Sequence, residues 1–282
     1  TVQEKQPGRT RQLVAETLGS LAISEWHYAF KVGKALPFIE SLRNCVIEGS
    51  NKDRAAACKA LGDVITNTVS LLYNERRHDF EVVCCMAIAL ALEHIHDGND
   101  AVRGMVMFLI GNLFLELSTL DLLDNYSFPP NNIQSLFDSA IVCLQDQSHK
   151  VVGNAVRSVG HMGAVLHSYP VLFSVDRISF ARCAMKELTT KIERAVGGKD
   201  HATLTWKQRS TAKRHGWGAC NSLGVLLDNI DTEDYGELRD IWREGFRALT
   251  SCVHNRASLN EKITLAALRA LAKIRVKQLT HA

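Results

Sequence analysis

Apolar positions in this chain fall on a helical period, and the period itself repeats. A short phrase recurs as Leu18-Gly19, Leu61-Gly62, Ile110-Gly111, Val159-Gly160, Leu223-Gly224 and Leu271-Ala272. Aligned on its small residue, the position before it is always aliphatic. Five before it stand Val14, Ala57, Val106, Ala155, Ala219 and Ala267, and four before it Ala15, Cys58, Met107, Val156, Cys220 and Leu268. Two after it stand Leu21, Val64, Leu113, Met162, Leu226 and Ile274. Offsets of −5, −4, −1 and +2 trace the i, i+1, i+4, i+7 stripe of a buried helix face. A small residue within that stripe lets a neighbouring helix approach closely.

Successive anchors lie 43, 49, 49, 64 and 48 residues apart. Helical-hairpin repeats run roughly 40–47 residues, so the excess is loop. The longest interval contains Ala195 to Trp206, where Gly197-Gly198-Lys199-Asp200 reads as a break. Between anchors the pattern predicts second amphipathic helices over Ala35–Ile47, Phe80–His96, Ile133–Gln145, Arg177–Arg194 and Tyr235–Val253. A last anchored helix is expected over Lys262–Leu279. Asn51-Lys52-Asp53, Asp97-Gly98-Asn99-Asp100 and Ser148-His149-Lys150 carry helix-capping chemistry. Phe128-Pro129-Pro130 ends a loop and opens a helix, with Pro tolerated in the first turn. No segment shows a strand's alternation. The expected fold is all-α, a right-handed α-solenoid of about six HEAT-type hairpins spanning residues 1–282 as one unit.

The motifs resemble those of HEAT and armadillo-type repeats. Asp100-Ala101-Val102-Arg103 looks like the Asp-x-Val-Arg opening of a HEAT inner helix, and Asp53-Arg54 and Lys150-Val151-Val152 are weaker copies. From Ser148 to Leu279 the order is narrower. Asn154-Ala155-Val156-Arg157, His215-Gly216-Trp217-Gly218-Ala219-Cys220, and Asn260-Glu261-Lys262-Ile263 resemble the end of the HEAT repeat-containing protein 6 family, although that family has larger residues where Gly216 and Gly218 stand. The resemblance implies an adaptor or scaffold.

Composition changes this picture little. Lys and Arg number 33 against 30 Asp and Glu, a net charge of +3 that selects no polyanionic partner. Eight cysteines include no Cys-x-x-Cys pair, which excludes a zinc-ribbon pattern and fits free thiols in the cytoplasm or nucleus. No apolar run reaches the ~20 residues of a membrane span. The chain opens on Thr1 with no signal-peptide pattern, and we expect a piece of a longer protein.

Catalytic motifs are absent. Gly197-Gly198-Lys199-Asp200 lacks P-loop spacing, and no Gly-x-Ser-x-Gly elbow occurs. His94 and His96 project about 200° apart on a helix, a poor metal pair, and read as a solvated helix end. Trp26, Trp206, Trp217 and Trp242 read as packing residues. The chain is therefore expected to be non-enzymatic, to need no cofactor or metal, and to bind protein.

The candidate surface follows from the alignment. Positions three before and one after each anchor flank the apolar stripe, four residues apart on one helix face. They read Glu16/Ser20, Lys59/Asp63, Phe108/Asn112, Arg157/His161, Asn221/Val225 and Arg269/Lys273. If the anchored helices line a concave face, Lys59, Asp63, Phe108, Asn112, Arg157, His161, Asn221, Arg269 and Lys273 form its floor. Mixed charge at the start and basic charge at the end suit an acidic or extended protein segment. A second cluster, Lys207, Arg209, Lys213 and Arg214, carries positive charge without an acid. The alternative is a helical-repeat protein gripping nucleic acid on a basic concave face, which would require Lys or Arg in most repeats.

Overall fold

The computed structural model describes residues 7–21, 23–120, 130–169, 175–197, 203–230, 232–254 and 261–274, and among them there are twelve α-helices and no strand. The chain divides into two compact units, Thr1–Ser139 and Ala140–Ala282. The expected loop residues Phe128, Pro129 and Gly198–Asp200, and the helix expected beyond Ile274, lie outside the described residues.

The N-terminal unit holds α1 (Pro7–Gly19), α2 (Ile23–Lys31), α3 (Ala35–Glu48), α4 (Asn51–Glu75), α5 (Arg77–His94), α6 (Asp100–Leu117) and the start of α7 (Pro130–Cys143). Three anchored helices stack in sequence, α1 on α4 and α4 on α6, while α3 and α5 pack behind them. Caps mark the starts. Ser50 and Asp53 form a reciprocal capping box on α4, and the Asn99 side chain accepts from the Ala101 and Val102 amides on α6. Asp97 ties the α5–α6 turn to α4: its carboxylate meets Arg54 Nη1 at 2.8 Å and accepts the Asn99 amide at 2.8 Å. The short helix α2 has no counterpart in the sequence reading. It carries Trp26, fully buried, and Phe30, 6.2 Å apart centroid to centroid, and makes α2–α4 a three-helix repeat.

The C-terminal unit holds the rest of α7, then α8 (His149–Ser168), α9 (Arg177–Val196), α10 (Trp206–Asn229), α11 (Thr232–His254) and α12 (Glu261–Lys273). Here α8, α10 and α12 are the stacked anchored helices, with α9 and α11 outside them. Gly197 ends α9 at φ +106°, a left-handed conformation that glycine adopts without strain. Thr205 and Gln208 close a capping box on α10. Between α9 and α11, Arg177 Nη2 meets Asp234 at 2.9 Å, with the buried His167 ring 3.5 Å from the same carboxylate.

The anchors sit where helices touch. Gly62, Gly111, Gly160 and Gly224 are buried and Gly19 is half-buried. A Cβ on Gly19 would lie 2.9 Å from Ala60 Cα, one on Gly160 2.9 Å from Ser222 Cα, and one on Gly224 2.8 Å from Ala270 Cα. Each anchor therefore rests on the residue two before the next anchor, a column of mostly small residues that the alignment did not single out. Gly62 meets the corresponding stretch of α6 at Phe108 and Leu109. Ala272, expected to be a contact residue, is exposed, because none of the described helices covers that side of α12. Leu268, in an apolar column, is 46% exposed for the same reason.

Candidate partner-binding site

The residues flanking the apolar stripe behave differently in the two units. In the N-terminal unit they engage one another. Lys59 Nζ lies 2.7 Å from Asp63 Oδ2, an i,i+4 pair on α4 that cancels its own charge. Asn112 is buried, and its Nδ2 donates to the Gly62 carbonyl at 2.9 Å, joining α6 to α4. Phe108 is half-buried over Gly62, where the missing Cβ leaves room for its ring. Glu16 and Ser20 are exposed at the start of the row.

The C-terminal unit carries Arg157 and His161 on α8, Asn221 and Val225 on α10, and Arg269 and Lys273 on α12. Asn221, Arg269 and Lys273 are exposed, and Arg157 and His161 are half-buried. Burial, reinforced by the charges of Arg157 and Lys273, pushes the His161 imidazole down to about 4. His161 is therefore neutral at pH 7. Lys273 belongs to α12, yet it acts on a side chain of α8, so the charges of these two helices are felt along one row. Burial also lowers the Arg157 guanidinium, although it stays charged at any physiological pH.

The second basic cluster splits over two faces of α10. Lys207 lines a cavity of about 370 Å³ with His149, Lys191, Arg194 and His215. There the His215 ring nitrogen meets the His149 carbonyl at 2.9 Å, and burial lowers both His215 and Lys191. Arg209, Lys213 and Arg214 face a different groove, toward α12. The tryptophans divide as well. Trp26 and Trp242 are core, the latter donating from Nε1 to the Leu227 carbonyl at 3.2 Å. Trp206 and Trp217 are 84% and 47% exposed, against the expectation that they pack. For Trp206 the cause is length: Gly224 rests on Ala270, so, counting back at about 1.5 Å per residue, α12 begins level with about His215, and the first turns of α10 project beyond it. Exposed tryptophan on a projecting basic helix was visible in the sequence as Trp206 and Trp217 bracketing Arg209, Lys213 and Arg214 at helical spacing.

His94 is buried rather than solvated, held 3.7 Å from Asp97. Among the described residues no cluster of His, Cys, Asp or Glu has the arrangement of a metal site. No described helix is long and apolar enough to cross a membrane.

No protein-family model matches the chain, and no curated protein sequence matches it. Solved structures do. A designed armadillo repeat protein in complex with the peptide (KR)4 superposes with a TM-score of 0.62 at 12% identity, covering 98% of this chain and 96% of that one. A second designed armadillo repeat protein gives 0.55 at 13% identity over 98% and 96%. An engineered protein gives 0.61 at 13% identity over 96% and 92%. At such identities the likeness shows the fold alone: this chain has an all-α helical-repeat fold like that of the designed armadillo proteins.

Proposed function

We propose that this chain is a non-catalytic scaffold that holds an acidic, extended segment of a partner protein against the anchored helices of its C-terminal unit. The observation that supports this best is the row itself: Arg157 on α8 and Arg269 and Lys273 on α12 stand at equivalent positions with no acid among the flanking residues, and the charges of Arg157 and Lys273 both reach His161. Carboxylates placed along that row would relieve the repulsion the cations exert there. Stacked helical repeats present long surfaces suited to extended chains. The designed armadillo protein was solved with a peptide of alternating Lys and Arg; the C-terminal row of this chain is itself basic, which favours an acidic peptide instead. Arg157, His161, Asn221, Arg269 and Lys273 form the binding row. Ser148–Leu279 we place near HEAT repeat-containing protein 6 on motif order, and the free thiols with a cytoplasmic or nuclear setting.

Fluorescence anisotropy with labelled octaglutamate and with (KR)4 tests this. The wild type is expected to bind octaglutamate in preference to (KR)4, and the Arg157→Glu/Arg269→Glu double variant to lose that binding while its thermal unfolding is unchanged. Preference for (KR)4, or octaglutamate binding that survives in the double variant, overturns the reading. Salt-sensitive oligonucleotide binding that only the wild type shows, with no peptide bound, establishes the nucleic-acid alternative instead.

A further inference from the structure

The groove between the N-terminal halves of α10 and α12, about 770 Å³ in volume, has a composition that the charged row lacks. Its α10 wall is a single stripe: Trp206, Arg209, Ser210, Lys213, Arg214 and Trp217 recur at three- and four-residue steps, so all six point the same way. The α12 wall contributes Lys262 and Arg269 around the exposed Leu265, with Ile263 buried beneath. No carboxylate appears among the described residues that line it.

We infer that this groove is the anchor pocket of the same binding site, taking an aromatic or aliphatic side chain of the acidic partner segment between Trp206 and Trp217. The inference rests on the scaffold reading and names what selects the partner. Arg269 belongs both to the row and to the groove, so a chain lying along one enters the other. The geometry matches an extended peptide. Trp206 and Trp217 are eleven residues apart, about 16 Å along the helix, which an extended chain spans in about five residues. Arg209 and Lys213 stand about 6 Å apart by the same rise, close to the ~6.6 Å between side chains on one face of a strand. Acidic residues at alternate positions therefore meet successive cations, and the side chain between the indoles meets the exposed Leu265 of α12. Tryptophan and arginine are also the residues that dominate binding energy at protein interfaces. A single-stranded nucleic acid would use indoles and cations similarly; the exposed aliphatic Leu265 on the α12 wall favours an apolar side chain of a peptide instead.

Two probes separate the possibilities. Octaglutamate has no anchor, and a second octapeptide replaces its two central residues with Phe-Leu. The wild type is expected to bind the Phe-Leu peptide at least tenfold more tightly. Trp206→Ala/Trp217→Ala, both at exposed positions, is expected to bind octaglutamate as the wild type does and to lose the tenfold preference. Equal binding of the two peptides by the wild type, or a preference that persists in the tryptophan variant, sinks the anchor pocket while leaving the charged row standing. Binding of neither peptide sinks both. A uridine octamer that binds the wild type more tightly than either peptide, and is weakened by the tryptophan substitutions, assigns the groove to nucleic acid.

Discussion

Equivalent positions of one repeat serve opposite ends in the two units. On α4 and α6 of the N-terminal unit the −3 and +1 positions are neutralised or turned inward: Lys59 is held by Asp63 and Asn112 is buried against the Gly62 carbonyl. In the C-terminal unit the same offsets carry Arg157, Arg269 and Lys273, and burial, reinforced by the charges of Arg157 and Lys273, holds His161 neutral. The anchor contacts are alike in both, so the backbone scaffold does not decide which unit has the basic row. That depends on whether a repeat supplies an i,i+4 acid, as Asp63 does for Lys59, or a second cation, as Lys273 does for Arg269.

The largest expected effect is common to both units and tests whether the seams are alike. Gly224→Leu places side-chain atoms where Ala270 Cα and Cβ already stand. Overpacking of this kind costs about 1–3 kcal/mol or more, and circular-dichroism melting should show a large fall in Tm. Gly62→Leu meets the Phe108 ring as well as the Leu109 backbone, so a smaller fall is expected there. An unchanged Tm in either variant would mean that the column is no contact.

Charge reversal separates the units. Arg157→Glu/Arg269→Glu should weaken octaglutamate at least tenfold, about 1.4 kcal/mol, whereas Lys59→Glu should leave binding within twofold; equal losses at both places would erase the contrast drawn here. Asn112→Ala is the converse. It removes one buried hydrogen bond, about 1 kcal/mol of stability, and calorimetry should register that loss with peptide affinity unaltered.

The smallest effect is a titration. His161 is depressed in the folded protein, so the unfolded state binds its proton first as the pH falls. The contribution of His161 to stability is full above about 6.5, declines as the pH drops, and is lost on passing below about 4. His161→Gln should flatten that part of the stability–pH curve. Octaglutamate seated on the row should raise the imidazole, read by NMR as a midpoint moving upward; a fixed midpoint under saturating peptide would place the peptide elsewhere.

Most helices were legible because their buried stripes are continuous. The five outer segments from Ala35 to Val253 fall on α3, α5, α7, α9 and α11 within a few residues, and all six anchors fall on or at the ends of stacked helices. Helix α2 escaped because Trp26, Ala29 and Phe30 give a single turn of pattern, too short to register as a period. The candidate row was readable as positions but not as states. Nothing in Asn112 itself shows that its amide is spent on another helix, since that depends on which carbonyl the seam brings near. Trp206 and Trp217 were misread for a related reason. Tryptophan is usually buried at least in part, and the exposure of Trp206 follows from the relative lengths of α10 and α12.

The glycine seam has a consequence for recognition itself. Glycine resting on serine or alanine brings two helix backbones as close as they can come, near the short end of the usual 8–10 Å between packed helices. That separation is also the pitch at which successive helices of the C-terminal unit offer their charges to a bound chain. The seam residues Gly160, Ser222, Gly224 and Ala270 therefore act as the ruling of a scale, and a single methyl group added inside the protein would change the sequence spacing that its surface accepts.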